Sequence, residues 1–251
     1  MAGQQQETRS LWVFGYGSLC WMPGFQFGGS AVGYIQDYVR RFWQGNTTHR
    51  GTPSQPGRVA TLVEEEEGCT WGVAYELKGE AALEYLEKRE VALGGYNTTV
   101  VTFFPRDPSL TPFPVLLFIA TPSSRDWAGQ APLHEIATQV IGCSGPSGHN
   151  VEYVLRLAEF MREHVPEGYD EHLATLDSLI RQRIKQHNLC LKTLMGDGPS
   201  DPTPSPTPAP HLHPPHQQGN AAPFQPPAQE RRDTFQYSTK LPPKKLRCLN
   251  V

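Results

Sequence analysis

The sequence lacks any apolar run of roughly eighteen residues, the length that a membrane-crossing helix needs. Residues 1–10 hold no apolar core of the kind a secretory signal carries. The expectation is a cytosolic protein that stays away from membranes. Cysteine is sparse: Cys20, Cys69, Cys143, Cys190 and Cys248 are odd in number and form no Cys-x-x-Cys pair. Free thiols are expected rather than a disulfide framework. An excess of one charge is missing too, since 22 Lys and Arg face 25 Asp and Glu for a net charge of -3. No global field draws the chain to nucleic acid. There is no His-x-x-x-His pair, and His211, His213 and His216 lie among prolines, so neither metal nor cofactor is expected. Ser18 is not framed by a Gly-x-Ser-x-Gly elbow. The sequons at Asn46 and Asn97 read as chance, because glycosylation needs a secretory route.

What is present divides the 251 residues unevenly. After residue 190, prolines crowd among Ser, Thr, His and Gln, a composition without the apolar surface to offset ordering entropy. The expected organisation is a disordered 1–10, one folded domain over 11–190, and a disordered proline-rich tail over 191–251. Within the domain, β-branched and aromatic runs predict strands at 11–14, 39–43, 58–63, 70–77, 97–104 and 115–119. Helical stripes follow over 151–161, with Asn150 as the expected N-cap, and over 170–186. Strands first and helices afterwards indicate an α+β domain with a closed or nearly closed sheet.

Three places attract chemistry. Phe14-Gly15-Tyr16-Gly17-Ser18-Leu19 runs an apolar strand into two glycines, where successive amides can cradle an anion. The same pattern also suits a tight turn without a ligand. No third glycine or Gly-Lys-Ser follows, so it is neither a dinucleotide fingerprint nor a phosphate loop. Over 80–93 a helical wheel groups Leu83, Leu86, Glu90 and Leu93 on one face. Glu90 there is a carboxylate among apolar neighbours, poised to accept and donate a proton. An ion pair with an arginine or a wetter helix end would explain it equally. Finally, Arg40, Arg41, Arg50 and Arg58 interleave with aromatics, which suits phosphates, carboxylates or the bracing of loops.

Taken in order, these segments resemble the ChaC family of γ-glutamyl cyclotransferases. The resemblance rests on Phe14 to Leu19 with Trp21, Arg40-Arg41-Phe42-Trp43-Gln44-Gly45, His49-Arg50-Gly51 and Pro56-Gly57-Arg58-Val59. It continues through Gly68 to Tyr75, Arg89-Glu90 with Gly94-Gly95-Tyr96, Gly129 to Pro132 and Gly145 to Tyr153. It implies a small mixed-strand barrel flanked by helices and cofactor-free cleavage of glutathione to 5-oxoproline and cysteinylglycine. It further implies Glu90 as the catalytic carboxylate, with Tyr16, Gly17, Ser18, Leu19, Tyr153 and Arg50 around the substrate. The rival is a non-catalytic binding scaffold whose tail recruits partners. Two departures stand out: Cys20 replaces a branched aliphatic residue, and a longer spacer, Val91-Ala92-Leu93, precedes Gly94. The tail lies outside the resemblance. Its last four residues, Cys248-Leu249-Asn250-Val251, match a prenylation box poorly because Asn250 is polar.

Overall fold

Two long strands set the architecture. In the computed structural model, which describes residues 11–88, 90 and 96–196, β2 (Phe27–Asn46) and β3 (Gly57–Leu77) pair antiparallel. With β1 (Trp12–Gly15), β4 (Asn97–Pro105) and β5 (Phe113–Ile119) they close a barrel in the order β1-β3-β2-β4-β5. The closing contact, Val13 opposite Leu116, is parallel, and the other pairings are antiparallel. The barrel is therefore the mixed one that the resemblance implies. Residues 57–62 of β3 are buried without alternation, as a strand covered on both faces must be.

The strand readings at 58–63 and 70–77 belong to one strand. β3 runs through the exposed Glu64-Glu65-Glu66-Glu67, with an irregular register opposite Asp37. The first half of β2 carries Gly28, Gly29, Gly33 and Asp37, residues depleted in strands, so local propensity concealed it.

Helices cover the barrel: α1 (Glu80–Leu86), α2 (Leu133–Gly142), α3 (Asn150–His164), α4 (Glu171–Gln186) and α5 (Leu191–Met195). Asp170 caps α4, its carboxylate accepting the Leu173 N–H at 2.9 Å. Asn150 is not the cap expected for α3. His149 accepts the Val151 N–H instead (3.1 Å). The fully buried Asn150 carboxamide accepts the Arg58 N–H (2.7 Å) and donates to the Arg58 carbonyl (2.8 Å). A carboxamide carries a donor and an acceptor side by side, so it replaces a strand partner and clamps α3 onto β3.

Two boundaries also move. The expected helix over 80–93 is α-helical only to Leu86 and widens into a π-type turn at Glu87, Lys88 and Glu90, while 91–95 lie outside the described residues. The α-helical spacing of the stripe thus ends at Leu86. At the other end, α5 extends past residue 190, with Leu191, Leu194 and Met195 packed against the core. The expected disordered segments, 1–10 and the tail beyond 196, lie outside the described residues.

His172 provides a test of the packing between α4 and β2. Its ring stacks on Phe42 (centroids 5.9 Å, planes 9° apart), and Nε2 accepts the Phe42 N–H at 3.2 Å. Burial, then the charge of Arg41, holds its pKa down at about 4, below the ordinary 6.5. The unfolded chain therefore takes the proton first as pH falls. Stability from the neutral ring is complete above pH 6.5 and is lost as pH falls toward about 4. Chemical denaturation across this window is expected to show a shallower acid loss for His172→Gln than for wild type. Equal slopes would contradict the assignment.

Candidate active site

Between Arg41–Thr61 and Gln44–Val59, β2 carries one residue more than β3, so Phe42 and Trp43 face Ala60 alone. Such a bulge breaks the ladder locally and re-aims the groups around it. The side chains around Ala60 bind its polar groups: its N–H donates to the Tyr153 hydroxyl oxygen (3.2 Å), and its carbonyl accepts the Tyr96 hydroxyl (3.0 Å). Tyr153 comes from the first turn of α3. Tyr96 is tied back to the π-type turn, its N–H donating to the Glu90 carbonyl at 2.9 Å. Three distant segments thus meet at one residue.

The fourth is the turn after β1. A Cβ on Gly15 would sit 2.6 Å from the Leu19 Cβ, and one on Gly17 would sit 2.6 Å from the Tyr153 hydroxyl. Both glycines are required by close approach, the first of the turn to itself and the second to α3. Ser18–Cys20 form a 3₁₀ turn that uses the N–H groups of Cys20, Trp21 and Met22. The leading amides of such a turn have no acceptor within it. The Leu19 carbonyl is fixed by the Tyr75 hydroxyl (2.9 Å). Cys20 fits the place of an aliphatic residue: it is fully buried, its thiol donates to the Gly15 carbonyl (3.3 Å), and burial pushes its pKa up to about 12.

Glu90 is half-buried, and its charge reaches Tyr16 and Tyr153. Burial pushes the Tyr153 hydroxyl up to about 12; the Ala60 N–H opposes the rise and the Glu90 charge adds to it. Burial followed by the Glu90 charge raises Tyr16 well above the usual phenol value. Both phenols stay protonated at neutral pH. They differ in reach, because the Tyr16 proton is donated to the Phe118 carbonyl (2.5 Å). Tyr153 accepts from Ala60, which leaves its proton to be given elsewhere.

The arginines brace the frame. Arg58 donates to Gln139 (2.8 Å) and the Gly129 carbonyl (2.7 Å), and Arg41 pairs with Glu65 on the surface (3.1 Å). Arg50 pairs with Glu152 (2.6 Å), which Arg156 also meets (2.6 Å), and donates to the His149 carbonyl (3.2 Å). Tyr16, Gly17, Leu19, Glu90 and Tyr153 are brought together. Sequence reasoning had no signal for Ala60, whose role depends on a register between distant strands. It had only a motif position for Tyr96. Among the described residues no three His, Cys, Asp or Glu side chains gather as a metal would require.

Residues 11–183 match the model of the ChaC-like protein family. The chain belongs to that family. It is 53% identical over 173 residues to the human glutathione-specific γ-glutamylcyclotransferase 1, covering 68% of this chain and 78% of the relative. The Danio rerio protein of that name is 50% identical over 179 residues, or 70% and 91% of the two chains. A crystal structure of a yeast γ-glutamyl cyclotransferase specific to glutathione superimposes with a TM-score of 0.63 at 25% identity, over 69% of this chain and 96% of that one. The ChaC-like domain thus contains the barrel, helices α1 to α3, most of α4, and every residue of the Ala60 cluster.

The cluster is testable without any substrate. Tyr153→Phe removes the acceptor of the Ala60 N–H and should lower unfolding free energy by about 1–3 kcal/mol. Tyr96→Phe acts on the same residue, Ala60, so the double variant should depart from additivity by about 0.5 kcal/mol or more. Additive losses in chemical denaturation would show that the two hydroxyls do not share one support.

Proposed function

We propose that this ChaC-like chain is a glutathione-specific γ-glutamylcyclotransferase that releases 5-oxoproline and cysteinylglycine. The reaction and substrate rest on the likeness to relatives so named, which favours catalysis over a binding scaffold. The observation that carries the mechanism is the convergence of one carboxylate, Glu90, on a phenol that keeps its proton, Tyr153, beside the Gly17–Leu19 amides.

The substrate carries its own nucleophile. Its α-amino nitrogen attacks the γ-carbonyl carbon, closing a five-membered lactam as the bond to the cysteine nitrogen breaks. Binding the folded conformer removes much of the entropic barrier. The remaining difficulty is protons. An α-ammonium loses two on becoming a lactam N–H, and the departing amide nitrogen gains two on leaving as an ammonium. Glu90 carries them one at a time, as base toward the attacking nitrogen and as acid toward the leaving one, a contribution on the order of 10²- to 10⁴-fold. The turn amides and the Tyr153 hydroxyl donate to the oxyanion that develops on the γ-carbonyl.

Glu90→Gln keeps the shape and loses the proton carrier. The purified variant is expected to fold and bind glutathione while 5-oxoproline formation falls by about 10²-fold or more. More than about a tenth of wild-type kcat would remove Glu90 from this role.

A further inference from the structure

Arg40, on β2, is 2% exposed, and its guanidinium is bonded on three sides. Nε donates to the Tyr16 carbonyl (2.8 Å), Nη2 to the Trp71 carbonyl (2.6 Å), and Nη1 to the Asp170 carboxylate (2.8 Å). Asp170 is fixed in turn as the cap of α4, through its other oxygen. A buried ion pair is weak evidence of stability, since an apolar residue of similar volume often serves as well. What a bonded guanidinium adds here is geometry. The Tyr16–Gly17 peptide is planar, so holding its carbonyl oxygen on Arg40 fixes the Gly17 N–H on the opposite edge. The rest of the turn, Ser18 and Leu19, continues from that plane. Arg40 also lies within electrostatic reach of the site, because its charge pulls the pKa of both Tyr16 and Tyr153 downward against burial.

We propose that Arg40 is a positioning residue: held by Asp170 at the start of α4, it sets the peptide plane from which the Gly17–Leu19 amides meet the reacting γ-glutamyl group. The inference rests on the cyclotransferase reading and deepens it. Nothing in the ChaC-like motifs distinguishes Arg40 from its neighbour Arg41. The structure does, since Arg41 ends on surface Glu65. Because the amides act on charge that develops during the reaction, their misalignment costs turnover more than binding.

The test compares steady-state kinetics and melting of wild type, Asp170→Ser and Arg40→Met, with glutathione as substrate. Serine keeps a helix cap and removes the partner of Nη1, so Asp170→Ser remains informative where Arg40→Met does not fold. A displacement of the order of 1 Å suffices for about a hundredfold loss. The expected falls in kcat are accordingly about tenfold for Asp170→Ser and about a hundredfold for Arg40→Met, with KM within about twofold. Measurements are made well below each melting point. A kcat for Asp170→Ser within about twofold of wild type, or a rise in KM alone, overturns the inference. An inactive wild type overturns the cyclotransferase reading and this inference with it, whereas an active wild type with an equally active Asp170→Ser overturns this inference alone.

Discussion

The open edge of β3 along Arg58 and Ala60 is the constraint on which the site depends. β1 pairs with β3 only from Val73 to Glu76, so the N–H and C=O of Arg58 and of Ala60, which point away from β2, have no strand to meet there. At Ala60 the N–H is matched by Tyr153 of α3 and the carbonyl by Tyr96, which follows the Glu90 turn. A buried backbone group left unmatched costs about 1–3 kcal/mol, so satisfying these two draws α3 and the segment after α1 to the same side of the barrel. The bulge residues are matched in the same way, Phe42 by His172 and Arg58, and Trp43 by Ala128 and Gly129. The geometry of the candidate site thereby follows from the need to satisfy an open strand edge.

Charge follows the same logic. Four arginines in a short stretch left an anionic ligand and the bracing of loops both open, and Arg40, Arg50 and Arg58 meet carboxylates, a carboxamide and main-chain carbonyls inside the domain. Burying a guanidinium is tolerable only when its donors are used. That requirement lets each arginine hold together backbone segments far apart in sequence. The concavity of about 490 Å³ lined by Arg40, Trp71, Asp170 and His172 lies behind this bracing and not at Glu90.

The sequence was legible where interactions are local. Asn97 to Phe104 and Val115 to Ile119 read as strands because β-branched and aromatic side chains suit a pleated surface. The α4 stripe of Leu173, Leu176, Ile180 and Ile184 and its Asp170 cap follow from helical spacing. The mixed barrel came from family resemblance. Long-range pairing hid the rest: the glycine-rich half of β2 is a strand only because β3 and β4 hold it, and Asn150 resembles a cap until Arg58 is placed beside it. At the candidate site, Gly15 and Gly17 were readable as a turn. Why each must lack a side chain depends on Leu19 and Tyr153. Glu90 stood out on a helical wheel that the π-type turn does not keep, so the residue was noticed through a geometry it does not have.

The central claim is that the substrate's own amine, not water, cleaves the γ-glutamyl bond while this cluster moves the protons. Turnover of glutathione in ¹⁸O-enriched water, with products resolved by mass spectrometry, tests it directly. Intramolecular attack predicts 5-oxoproline without label, formed in equal amount with cysteinylglycine. Glutamate carrying ¹⁸O in its γ-carboxylate would mean hydrolysis and would contradict the account.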